Sequence, residues 1–251
     1  MEDSGPIDPS TASKAVLTGL EGSEKYLTNE SAAQHSTILG SPLGVLTIKK
    51  LLEGKGSDAA FTNFCSRVSN AIGALNSTST NTFTVCDLQQ VLLISLMLRT
   101  ALTTYIQVRE YQFIKVKYES FVDWTIKEDY LRCNPSFHGN PRYDFVIANL
   151  SGGHTFARLV FVFTCQVAEQ NYRLALIQRL KKQSRTAEKE FDKNLSIHRW
   201  QIRPRDRCEV VPIDCVVRGA LLVKDPKYVD DYFVIDTLDE DMYLRVKKHL
   251  S

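Results

Sequence analysis

Apolar and β-branched residues are densest between Tyr143 and Arg179, in three runs: Phe145 to Ile147, Leu159 to Val162 and Leu174 to Ile177. Ser151-Gly152-Gly153 and Glu169-Gln170-Asn171 supply turn chemistry between them, so the pattern predicts a three-stranded meander at the heart of a folded domain. Upstream the period lengthens. SPLGVLTIKKLL, from Ser41, opens with Ser-Pro and carries Leu43, Val45, Leu46, Ile48 and Leu51 at helical spacing. From Asp58 to Leu75, Phe61, Phe64, Cys65, Val68, Ala71, Ile72 and Leu75 fall on one helical face, with Ser57 or Asp58 as the cap. Leu88 to Thr104 is apolar, lacks Gly and Pro and follows Asp87, which predicts a buried helix. FIKVKYES then alternates strictly and predicts a strand over Tyr111 to Tyr118. Its Tyr111, Phe113, Lys115 and Lys117 face one way and Ile114, Val116 and Tyr118 the other, so one face is core. The aromatic and cationic face, if uncovered, is a contact surface for protein or nucleic acid.

Phe121 to Cys133 fits a short amphipathic helix, closed by turn residues at Pro135 and Gly139-Asn140-Pro141. Beyond the meander, strands are expected at Arg199 to Ile202, Glu209 to Val211, Val216 to Val223 and Tyr232 to Thr237, with a closing helix at Glu240 to His249. The polar head reads as disordered. These elements predict an α+β chain: a disordered head over 1–40, a helical region over 41–104, and over 105–251 a mostly antiparallel β domain, either a small barrel or a bent sheet.

With 43% hydrophobic residues in 251, the chain has ample material for a core, and a net charge of +2 makes no global case for nucleic acid or membrane. Any basic surface must be local. MEDSGPIDPSTASK is too polar for a secretory signal, and VLLISLML, Val91 to Leu98, is too short to span a bilayer, so a soluble intracellular protein is expected. The six cysteines form no CxxC pair, which predicts free and mostly buried thiols without a zinc site or other cofactor.

Two charge clusters remain. Lys181, Lys182, Arg185, Arg199, Arg203, Arg205 and Arg207 are candidates to neutralise phosphates, with Trp200 available to stack on a base. Glu188, Glu190, Asp192 and Asp206 lie among them, and a solvated loop of both signs is the simpler alternative. The second cluster runs from Asp225 to Asp241. With Asp144 at the head of the meander, Asp236 and Asp239 would be the carboxylates of a divalent-metal nuclease. Turn chemistry and a capped helix start at Asp239-Glu240-Asp241 account for them without a metal.

DWTIKEDYLRCNPSFHGNPRYDFVIAN (Asp123 to Asn149), FARLVFVFTC, YRLALIQ, VVPIDCVVRGALLV and YFVIDTLDEDMYLRV resemble the C-terminal region of transposon-encoded proteins of mushroom-forming fungi, of the Plavaka and Kyakuja-Dileera-Zisupton type. The resemblance covers about residues 105 to 249 and implies a nuclear, DNA-associated setting, as an accessory part without the family's acidic catalytic core. VPIDCVVRGALLV followed by YFVID is also similar to the ending of bromo-adjacent homology domains, small barrels of chromatin proteins. The expected function is therefore non-catalytic binding of DNA or a chromatin protein. The competing expectations are a divalent-metal nuclease or transposase fragment, and an oligomeric scaffold whose helical region joins copies of the chain.

Overall fold

A computed structural model describes residues 35–78, 106–167, 170–183, 198–237 and 239–250. The first strands are β1 (Ser36–Leu39), β2 (Pro42–Thr47), β3 (Gln107–Tyr111), β4 (Phe113–Glu119), β5 (Ile126–Phe137), β6 (Asn140–Tyr143) and β7 (Phe145–Leu150). They are followed by β8 (Gly153–Val167), β9 (Gln170–Lys182), β10 (His198–Ile202), β11 (Glu209–Pro212), β12 (Val216–Ala220), β13 (Leu222–Lys224) and β14 (Asp231–Val234). Among the described residues three short helices accompany them: α1 (Ile48–Lys55), α2 (Phe64–Thr78) and α3 (Glu240–His249).

The predicted meander is β7, β8 and β9. Ser151 and Gly152 turn between the first two, and Gly153, at φ +95°, takes the left-handed conformation that a side chain would resist. The β8–β9 hairpin is long enough to carry two partners on each edge. The first half of β8 pairs with β7 and the second half with β3, while β9 pairs with β10 near Leu180 and with β11 near Ala175. A bulge between Leu159 and Phe161 marks the change from one half to the other.

Both faces of this sheet are covered. Phe161, Phe163, Leu174 and Leu176 pack against Ile48, Leu51, Phe61, Phe64, Val68 and Ile72 from the helices. On the opposite face, Leu159, Val162, Ala175 and Ile177 meet Ile114, Val116, Leu131 and Cys133 of the smaller sheet, β1-β4-β5-β6. Phe156, Trp200 and Tyr232 form a third cluster with Met242 and Val246 of α3.

Among the described residues the fold is thus mostly antiparallel β, in two sheets with three short helices, rather than α+β with a helical first part. Neither sheet closes into a barrel among the described residues. Pro42 to Thr47 is a strand: Pro42 and Gly44 weaken helix nucleation, and pairing with β3 takes the segment instead. The helix begins only at Ile48, where the Thr47 hydroxyl accepts from the Lys50 N–H at 3.3 Å. From Asp58 onward the predicted face is buried, but it is split into a one-turn 3₁₀ helix at Ala59–Phe61 and α2, with Asn63 at φ +56° between them. Phe121 to Cys133 is not a helix. Ile126, Glu128 and Tyr130 alternate with Lys127, Asp129 and Leu131, and seven residue pairs join β5 to β4. Part of the head is ordered too, since Ser36–Leu39 pairs with β4. The expected helix over Leu88 to Thr104, and residues 1–34, lie outside the described residues. No helix among the described residues is long and apolar enough to cross a membrane.

Phe64 is 1% exposed and its ring contacts those of Phe61, Phe161 and Phe163. Phe64→Ala lowers the unfolding free energy by about 3–5 kcal/mol, read as a fall in the urea midpoint at unchanged slope. A loss under about 1 kcal/mol contradicts this packing.

Candidate nucleic-acid interface

The basic residues of the Arg179 to Arg207 stretch have separate fates. β10 lies between β9 and β14, inside a sheet covered on both faces, and this buries two of the candidate contacts. Arg199 is 5% exposed and pairs with Asp225 and Asp231, its guanidinium 4.5 Å from the Phe233 ring centre. Trp200 is 6% exposed and packs edge-on to Phe156 at 4.9 Å. Neither side chain reaches a ligand at the surface, so both leave the set of predicted contacts. Lys182 Nζ donates to the Leu250 carbonyl at 3.0 Å, closing the end of α3, and Lys181 is exposed. Arg185 lies outside the described residues.

Arg205 is half-buried and holds Asp58 with two bonds, Nε to Oδ1 at 2.7 Å and Nη2 to Oδ2 at 2.6 Å. Burial works against the Asp58 carboxylate, but the bonds from Arg205 and from the Ala60 N–H outweigh it and hold its pKa below the ordinary 3.8. The same Asp58 bond raises the pKa of Arg205 despite its burial. This fork fastens the 3₁₀ turn Arg205–Arg207 to the Ala59–Phe61 turn at the base of α2. Arg67 of α2 fastens it again, donating from Nη1 to the Ala60 carbonyl at 2.9 Å and from Nη2 to the Asp206 carbonyl.

Between α2 and the fastened segment lies an open cleft of about 670 Å³. Thr62, Asn63, Arg67 and Asn70 line one side and Arg203, Arg207 and Glu209 the other, with Asp206 at the turn. Glu209 is shared by Arg203 at 3.3 Å and by Arg179 at 3.4 Å, so four guanidinium groups face two carboxylates in and beside the cleft. Of the predicted contacts, Arg203 and Arg207 meet here, and Arg205 holds the wall. Arg67, Asn63 and Asn70 are additions that the sequence reading missed. Their only signal there was a polar face opposite the apolar stripe of the helix.

Two of the three carboxylates of the metal reading, Asp144 and Asp239, are held by other partners. Asp144 accepts from the Arg132 N–H and from Arg142 Nε, each at 2.9 Å. Asp239 caps α3 through the Met242 N–H at 3.0 Å and pairs with Arg218, and Asp236 lies half-buried after β14. Asp144, Asp239 and Asp129 do share a cleft of about 550 Å³, yet no group of three His, Cys, Asp or Glu among the described residues could hold a metal ion. Arg218, 5% exposed, gathers Asp129, Asp239 and Asp241, and Asp241 also binds Arg245 at 2.7 Å. Burial pushes the Cys133 and Cys165 thiols up to about 12 and Cys208 to about 11, which leaves them protonated and poor nucleophiles.

Because Asp58 has a lowered native pKa, its stabilisation is present above the unfolded value of 3.8 and is lost as pH falls through the native one. Asp58→Asn therefore costs about 1 kcal/mol at pH 7 for this partly exposed pair, and the gap from wild type closes on acidification below 3.8. A gap of constant size down to pH 2, measured by urea unfolding, contradicts the pairing.

Comparison with protein-family models, with curated proteins and with solved structures finds no match to this chain.

Proposed function

We propose that the chain is a non-catalytic binding module that takes the phosphate backbone of duplex DNA into the cleft between α2 and the Arg203–Val210 segment. What supports the reading is the convergence of Arg67, Arg203 and Arg207 with Asn63, Asn70 and Thr62 in one open cleft. Guanidinium groups are the strongest side-chain partners for phosphate oxygens, and amides and hydroxyls supply neutral donors beside them. Contacts of this kind fix position on the duplex and read no sequence, so the binding is sequence-tolerant and steeply dependent on salt. The nuclear setting and the kinship with transposon-encoded accessory regions belong to the same proposal. An accessory module needs affinity for DNA and no catalytic centre of its own.

Titration of the full chain into a labelled duplex, followed by fluorescence anisotropy at several salt concentrations, tests it. The logarithm of the affinity falls linearly with the logarithm of salt, and Arg203→Ala and Arg207→Ala each weaken binding and reduce the slope by about one unit. No binding at low salt, or variants indistinguishable from wild type, overturns the proposal.

A further inference from the structure

The smaller sheet has one buried face and one open face. Ile114, Val116 and Leu131 point into the core, so the residues between them point outward. The register sets Phe113 opposite Arg132, Lys115 opposite Tyr130, Lys117 opposite Glu128 and Glu119 opposite Ile126. Ile38 on β1 extends the Lys115–Tyr130 row to a third strand. On this face aromatic rings and cations are interleaved. Phe113 and Tyr130 are 6.3 Å apart, and Lys115 Nζ sits 4.7 Å above Tyr130. Phe137 lies between the guanidinium groups of Arg132, at 4.9 Å, and Arg142, at 5.1 Å. Lys115 and Lys117 share Glu128, and Arg142 pairs with Asp144, so the four cations Lys115, Lys117, Arg132 and Arg142 stand against three carboxylates, Glu119, Glu128 and Asp144.

Trp124 stands in the hairpin turn between β4 and β5. Trp124 is 71% exposed and sits at φ +57°, a conformation that costs a bulky residue free energy, and no burial within the fold offsets it. Ile126 and Tyr130, 48% and 49% exposed, continue from Trp124 along β5, a strand of 12 residues and about 40 Å at 3.3 Å per residue.

We infer that this open face is a stacking platform for an unpaired DNA strand, with Trp124 and Tyr130 taking bases and Lys115, Lys117 and Arg132 meeting the phosphates. The charge selects this occupant. A protein-binding face of this size would be depleted in lysine at its centre, whereas aromatic rings flanked by cations are what unpaired bases and their backbone require. Duplex DNA hides its base faces and gains nothing from the rings. The platform shares no residue with the arginine-lined cleft, so either can fail without the other.

The test is titration of the full chain with an oligothymidylate of about 15 nucleotides, within the span that single-strand-binding surfaces cover. The chain has two tryptophans, of which Trp200 is buried, so quenching of emission reports Trp124. The expected result is quenching on binding, weakening by about ten-fold in Tyr130→Ala, retention in Tyr130→Phe, and no change in Arg203→Ala. Trp124→Ala, followed by anisotropy, weakens binding by a similar factor, and an unchanged melting temperature certifies the fold of each exposed-site variant. Absence of binding at low salt, equal competition by a duplex of the same length, preference for the matching oligouridylate, or a Tyr130→Ala variant with wild-type affinity would each overturn the inference.

Discussion

The fork between Arg205 and Asp58 joins parts of the chain 147 residues apart, and the shape of the cleft depends on it. Closing so long a loop costs entropy that one partly exposed ion pair does not supply. The driving force is burial of Phe61, Phe64, Val68 and Ile72 against Phe161 and Phe163. Hydrophobic burial is nondirectional and fixes only that the helices cover the sheet. The planar guanidinium fixes where, because two bonds at once tolerate little rotation. With Arg67 bonded to the carbonyls of Ala60 and Asp206, the arginines on either side of the cleft are held apart at a set spacing.

The same division between drive and direction recurs at the two buried arginines. Arg199 with Asp225 and Asp231, and Arg218 with Asp129, Asp239 and Asp241, bring together β10, β14, β5, β12 and α3. Each arginine is over-compensated by carboxylates, and each stacks on an aromatic ring, Phe233 in one case and Tyr118 in the other. Desolvating charge is costly, and such clusters select one packing over its alternatives more than they add stability. Loss of a single partner strands a buried charge, so these sites do not tolerate piecemeal change.

The meander was legible in the sequence because both of its signals are local: strand-forming runs and the turn residues between them. The outward face of β4 was legible for the same reason. Local signals misled where a short segment satisfied two periods. Leu43, Val45, Leu46 and Ile48 fit a helix, yet β3, some 60 residues on, takes Pro42–Thr47 as a strand. The basic stretch misled in another way. Trp200 and Arg199 look like a contact pair in isolation, and the placement of β10 between β9 and β14 buries them. The carboxylates of Asp225 and Asp231, which resemble a separate acidic cluster, are the counter-charges of that arginine. Opposite charges far apart in sequence and adjacent in space carry no local signature.

The claim on which the proposed DNA binding turns is that Arg205 shapes the cleft and does not itself touch DNA, and the affinity of Asp58→Asn for duplex DNA tests it. The substitution removes one negative charge and releases Arg205. If charge alone governed binding, the variant would bind more tightly. Weaker binding at every salt concentration is expected, because the cleft loses its fixed wall while the arginines proposed to contact phosphate remain. Tighter binding by Asp58→Asn would contradict it.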